Sequence, residues 1–123
     1  MTPRILIVDD ERSIVKVIRK QLEIAGYEVA VSLDGEDGLA KAQAWRPDVI
    51  ILDVMLPRVN GYEVCATLKA DQDLRQIPIL MLTARAQPPD REQGLRSGAD
   101  IFLTKPFDLE DLLRQVQALL NGS

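Results

Sequence analysis

The chain has 123 residues, 46% hydrophobic and 28% charged, which suits one domain whose core needs no disulfide or metal staple. Fifteen basic against nineteen acidic residues give a formal net charge of −4, which argues against a nucleic-acid surface. No apolar run approaches the ~20 residues of a membrane helix.

The single cysteine, Cys65, leaves no internal disulfide to form and reads as a small buried apolar residue. Nothing at the N-terminus has the pattern of a signal peptide, so a cytoplasmic protein is the expectation.

Taken in chain order, apolar runs and helical periods alternate. Residues 5–8 form an unbroken apolar run that leads straight into three acids. Ile14, Val17, Ile18, Leu22 and Ala25 then mark one face of a helix that should end at Gly26. Residues 28–32 suit a weaker strand. A second helix carries Leu39, Ala42 and Trp45 on one face and is closed by Arg46-Pro47. A second unbroken run, 49–52, precedes a helix that begins after Asn60-Gly61 and holds Val64, Cys65 and Leu68 inside. Another run, 79–82, is followed by a helix from about Pro88-Pro89-Asp90 to Ser97-Gly98. Residues 101–104 make a last, less covered strand. Leu109, Leu112, Leu113, Val116, Leu119 and Leu120 form the stripe of the final helix. Unbroken apolar runs suit strands buried on both faces, as in a parallel sheet covered by helices. Five strands alternating with five helices predict a doubly wound α/β fold, a single domain over 1–123 with its core at about 4–120.

In such sheets ligands bind beyond the carboxyl ends of the strands. Those positions hold Asp9, Asp10 and Glu11, then Asp53, then Thr83, then Lys105-Pro106. Two carboxylates ~4 Å apart repel by roughly 4 kcal/mol at an effective dielectric near 20. Three such groups call for a proton or a cation among them. The chain has no histidine, which removes imidazole ligands, and an all-oxygen site suits Mg²⁺, with Mn²⁺ able to substitute. Asp53 is a candidate nucleophile toward phosphorus, and Lys105 and Thr83 could neutralise or hydrogen-bond the oxygens of a transferring phosphoryl group. Each residue also has a plain reading. The acids could cap the next helix, Thr83 could serve a turn, Lys105 could be solvated and Pro106 could merely stop a strand. Their joint occurrence at four of the five expected strand ends favours the functional one.

Those residues carry a resemblance. Ile5-Leu6-Ile7-Val8-Asp9-Asp10-Glu11, the stretch from Pro47-Asp48 through Leu52-Asp53-Val54-Met55-Leu56-Pro57 to Gly61, Leu82-Thr83-Ala84, and Gly98-Ala99-Asp100 leading to Lys105-Pro106-Phe107 resemble the receiver domains of two-component response regulators. The similarity runs from about Arg4 to Leu120. It implies a flavodoxin-like sheet of order 2-1-3-4-5. It also implies that a sensor histidine kinase or a histidine phosphotransfer protein donates a phosphoryl group to Asp53. Asp10 and Asp53 would hold Mg²⁺, with Asp9 nearby and the Met55 main-chain carbonyl as a further ligand. Thr83 and Lys105 would contact the phosphoryl oxygens, and the Lys105–Pro106 peptide would be cis. Thr83 and Phe102 would form the switch, Phe102 turning into space that Thr83 vacates. Met55 and Arg85 match positions that tune water access and so phosphoryl lifetime.

The output face implied by the resemblance is the fourth helix, fifth strand and fifth helix. Arg91, Leu95 and Asp111 fit the dimer face of receivers attached to winged-helix DNA-binding domains. Glu92, Ile101 and Gln115 depart from it, so a monomer or weak dimer is expected, and Ile101 is read as part of a patch for another partner. Pro88 and Pro89 are read as stiffening the entry to the fourth helix. The output is either a docking event of a stand-alone domain, a phosphorelay step, or control of a longer DNA-binding regulator. The domain itself is expected to bind neither nucleic acid nor membrane. Rival classes fit less well. An aspartyl phosphohydrolase needs a second acid two residues beyond its nucleophile, where this chain has Met55. A flavin-binding relative of the fold needs a phosphate loop where this chain has three acids. A receiver-like module that no longer takes phosphate would lack Asp53, Thr83 or Lys105.

Overall fold

A computed structural model describes residues 2–84 and 87–122. The elements are β1 (Arg4–Val8), α1 (Arg12–Ile24), β2 (Glu28–Ser32), α2 (Gly35–Trp45), β3 (Val49–Asp53), α3 (Gly61–Ala70), β4 (Ile79–Thr83), α4 (Pro88–Arg96), β5 (Ile101–Thr104) and α5 (Leu109–Leu120). All strand pairs are parallel and the order is β2-β1-β3-β4-β5, the expected doubly wound α/β sheet.

The apolar runs work because successive side chains of a strand face opposite sides. Leu6, Val8, Ile50, Leu52, Ile79 and Met81 point to the layer holding α2, α3 and α4, where they meet Ala42, Val64, Leu68 and Phe102. Ile5, Ile7, Val49, Ile51, Leu80 and Leu82 point to the other layer, against Val15, Ile18 and Leu22 of α1 and Leu112 and Val116 of α5. Each fully buried Leu, Ile or Val contributes roughly 1.5–3 kcal/mol by leaving water, so the three central strands dominate the hydrophobic stabilisation. The outer strands β2 and β5 are only partly covered, as their weaker patterns predicted.

One helical face differs from expectation. Val17 is 52% exposed and Ala25 is exposed, whereas Val15, Ile18 and Leu22 are buried and Ile14 is half-buried. At about 100° per residue, the Val15–Ile18–Leu22 stripe leaves Val17 about 130° around the helix, on the solvent side.

Local chemistry sets the helix starts. Asp34, Asn60 and Asp108 accept hydrogen bonds from the amides of Asp37, Glu63 and Glu110 at the N-termini of α2, α3 and α5. Pro88 and Pro89 occupy the first turn of α4, where no amide donor is needed. Gly61 matters most for the site. A Cβ there would lie 2.1 Å from the Asp53 carbonyl oxygen, so only glycine lets α3 begin directly against the end of β3. No described helix is long and apolar enough to cross a membrane.

Candidate functional site

The parallel sheet brings the carboxyl ends of β1, β3, β4 and β5 to one edge, and the polar residues of the sequence meet there. Asp53 and Thr83 are the last residues of β3 and β4, both buried, while Asp9 and Asp10 follow β1 and Lys105 follows β5. Asp9 is buried, and two of its hydrogen bonds are with main-chain groups. Its amide donates to the Ser32 carbonyl (3.0 Å), and its Oδ1 accepts from the Glu11 amide (2.9 Å). The Lys105 amide donates to the Thr83 carbonyl (2.8 Å), which ties the start of the β5–α5 loop to the end of β4. The Lys105–Pro106 peptide bond is cis.

Asp9, Asp10 and Asp53 each offer a carboxylate oxygen, and these oxygens lie within 4.8 Å of one another. Asp10 is exposed at the mouth of the cluster, with the other two inside. Lys105, its side chain 9% exposed, sends its ammonium into the group: 2.6 Å from Glu11 Oε1, 3.0 Å from Asp9 Oδ2 and 3.6 Å from Asp53 Oδ2. Asp53 itself is 3% exposed, and its Oδ1 is buried without a hydrogen-bond partner among the described residues. Burial first, then the Asp9 charge, raises its carboxyl from 3.8 to about 6, with Lys105 and the Met55 and Val54 amides pulling the other way. Burial pulls the Lys105 ammonium down, yet the hydrogen bonds it donates to Glu11 and Asp9 and the charges of Asp53 and Asp9 together hold it above its ordinary value. The result is a buried carboxylate with one oxygen unpartnered among the described residues and a fixed cation beside it.

This donor set fits a small hard divalent cation. It is made of oxygens, carries excess negative charge on three converging carboxylates, and includes a buried carboxylate oxygen that has no hydrogen-bond partner among the described residues. Met55, two residues past Asp53, stands in the β3–α3 loop with its side chain exposed. Arg85 lies outside the described residues.

The residues expected on the output side lie on α4, β5 and α5. Arg91 and Leu95 are exposed on α4, Ile101 is half-buried on β5, and Asp111 on α5 pairs with Arg114 at 3.3 Å. Phe102 is 7% exposed and already lies inside, against Gly94 and beneath the Arg91 guanidinium, 5.2 Å from the ring centre. A Cβ on Gly94 would sit 2.6 Å from Phe102 Cδ2, so this glycine makes room for the ring. Cys65 is buried, as expected, and burial raises its thiol.

Two participants were not singled out by the sequence. Glu11, read only as one of three acids after the first strand, is the nearest partner of Lys105. Tyr62, read only as part of a helix, donates its hydroxyl to the Asp90 carbonyl (3.1 Å) and so joins α3 to the first turn of α4. The run of three acids was a signal for the first. Nothing in the sequence marked the second. A broad groove at the opposite end of the sheet, lined by Pro3, Tyr27, Pro78 and Leu119, holds none of these residues.

Comparison with known proteins gives a consistent picture. The pattern of the response regulator receiver domain matches residues 5–117. The DNA-binding dual master transcriptional regulator RpaA of Synechocystis is 51% identical over 118 residues, covering 96% of this chain and 49% of that protein. The alkaline phosphatase synthesis transcriptional regulatory protein PhoP of Bacillus subtilis is 46% identical over 123 residues, covering 100% of this chain and 50% of that protein. The chain thus spans about half the length of these relatives. Among solved structures, the receiver domain of the Pseudomonas aeruginosa sensor histidine kinase PA1611 superposes with a TM-score of 0.90 at 34% identity, over 98% of this chain and 99% of that one. That structure has a magnesium ion coordinated in its active-site cleft.

Proposed function

The chain belongs to the response regulator receiver domain family, and from that premise we propose that Asp53 is the phosphoacceptor of a Mg²⁺-dependent signalling switch. The observation that carries the reading is the state of Asp53: buried, with its Oδ1 lacking a hydrogen-bond partner among the described residues, beside two further aspartates and one lysine. A carboxylate oxygen of Asp53 attacks the phosphorus of a phosphohistidine on a sensor kinase or phosphotransfer protein. The O–P bond forms as the P–N bond breaks, and the imidazole leaves with the electron pair. Lys105 and Thr83 supply an ammonium and a hydroxyl to the oxygens of the incoming group. Asp9, Asp10 and Asp53, with the Met55 carbonyl, are the residues that would hold Mg²⁺, or Mn²⁺ in its place. When bound, the cation supplies positive charge against the carboxylates and the phosphoryl oxygens.

The protein acts on itself in this reading and is not a turnover phosphatase, because Met55 cannot transfer a proton where such enzymes need an acid. Met55 and Arg85 set how easily water reaches the phosphorylated residue. New charge at Asp53 biases Thr83 and Phe102, and through them the α4–β5–α5 face that includes Arg91, Leu95, Ile101 and Asp111. The lengths and names of the relatives favour one output over a relay step: control of a longer DNA-binding regulator in the cytoplasm, with residues 1–123 as its single receiver unit.

The test is incubation with Mg²⁺ and acetyl phosphate, read by intact mass. Wild type should gain one phosphoryl group that acid preserves and base removes, and Asp53→Asn should gain none. Equal labelling of the two proteins would sink the proposal.

A further inference from the structure

Lys105 stands next to the acceptor carboxylate without hydrogen-bonding to it. Its ammonium is bonded to Glu11 (2.6 Å) and Asp9 (3.0 Å), and stops 3.6 Å from Asp53 Oδ2. The contact with Asp9, whose side chain is 2% exposed, follows simple electrostatics, but the shorter one with Glu11 runs against it. Asp53 is 3% exposed while the Glu11 side chain is 51% exposed, and a cation is drawn more strongly to the less solvated anion. An ammonium has three donors, and two of them are directed by Glu11 and Asp9.

We propose that Glu11 is a positioning residue that, with Asp9, holds Lys105 off Asp53 and so keeps the acceptor oxygen free to attack. The proposal rests on the reading of Asp53 as the phosphoacceptor. A carboxylate oxygen engaged in a charge-assisted hydrogen bond is a poorer nucleophile, since that bond must loosen before the bond to phosphorus can form. At 3.6 Å the lysine pairs with Asp53 by charge alone, without a hydrogen bond to its oxygen, and it is close enough to meet phosphoryl oxygens as they arrive. A general charge effect of Glu11 would have the opposite sign. One acid fewer at the site would reduce repulsion of an anionic phosphodonor and speed the reaction.

Glu11 suits substitution, because its side chain makes no capping bond to α1. The experiment measures labelling by acetyl phosphate at saturating Mg²⁺, in which the acceptor oxygen bonds to phosphorus as acetate leaves with the electron pair. Glu11→Ala should label about threefold to tenfold more slowly than wild type. Glu11→Gln, which keeps an acceptor oxygen, should fall between the two. In a Lys105→Ala background the effect of Glu11→Ala should vanish. Unchanged or faster labelling by Glu11→Ala, or undiminished slowing without Lys105, overturns the proposal. A crystal structure of Glu11→Ala gives a readout independent of phosphorylation. The Lys105 ammonium should move within hydrogen-bond distance of Asp53, and an ammonium that stays as far away as in the wild type overturns the proposal. Labelling of wild type and its loss in Asp53→Asn decide the underlying reading separately.

Discussion

Within the folded chain the Asp53 carboxyl titrates at about 6 instead of 3.8, chiefly because burial disfavours its charge. Between those two values the native state keeps a proton that the unfolded chain has released. Stability from this group is therefore full below about pH 4 and falls as pH rises through about 6. Above that, ionised Asp53 costs about 3 kcal/mol. In metal-free buffer, Asp53→Asn should be more stable than wild type by about 2–3 kcal/mol at pH 7.5 and nearly equal to it at pH 4. Urea unfolding at the two pH values checks this, and an Asn variant no more stable at pH 7.5 would show that the charge is not penalised. Metal binding acts in the reverse sense. Millimolar Mg²⁺ should raise the wild-type melting temperature, chelation should reverse the gain, and Asp10→Asn should lose most of it. An equal Mg²⁺ response in Asp10→Asn would remove that residue from the ligand set.

Elements α4 and β5 meet at one crowded contact. Phe102 fills the space over Gly94, next to Met81, and the Arg91 guanidinium covers its ring. Gly94→Ala should destabilise the fold by about 1–3 kcal/mol, since the new methyl must displace the ring or the helix. Arg91→Ala should cost only about 0.5–1 kcal/mol, the worth of an exposed cation–π contact. Thermal unfolding separates the two, and a Gly94→Ala protein as stable as wild type would mean that α4 shifts freely. This contact was not legible in the sequence. Gly94 and Phe102 lie on different elements, and no local pattern says that a helix must thin at one residue to admit a ring. The strands were legible because unbroken apolar runs have few other uses, and the strand-end residues followed from where parallel sheets bind ligands. The α1 face was misread at Val17 because Val and Ile are alike in hydrophobicity, and only the packing of Val15, Ile18 and Leu22 fixes the helix rotation. Glu11 and Lys105 were both visible as charges. Their pairing was not, being a contact across 94 positions.

At the scale of the molecule, several charges on the expected output face find partners within the chain. Arg91 stacks on Phe102, Glu92 pairs with Arg96, and Asp111 pairs with Arg114. Such exposed pairs are each worth about 0–1 kcal/mol, yet each must be exchanged if those charges are to bind a second copy. The unphosphorylated chain should therefore sediment as a monomer at tens of micromolar, and a stable dimer at that concentration would contradict this. The core is shared between two layers about the three central strands, while chemistry is confined to one edge of the sheet. That separation lets residues at the edge carry unfavourable charge without loss of the fold. The measurement that bears most directly on the account is the position of the phosphoryl group. After treatment with acetyl phosphate and Mg²⁺, borohydride reduction converts an acyl phosphate on aspartate to homoserine, and peptide mass spectrometry locates it. Homoserine at position 53 is the predicted result; homoserine at Asp9 or Asp10, or none at all, would contradict it.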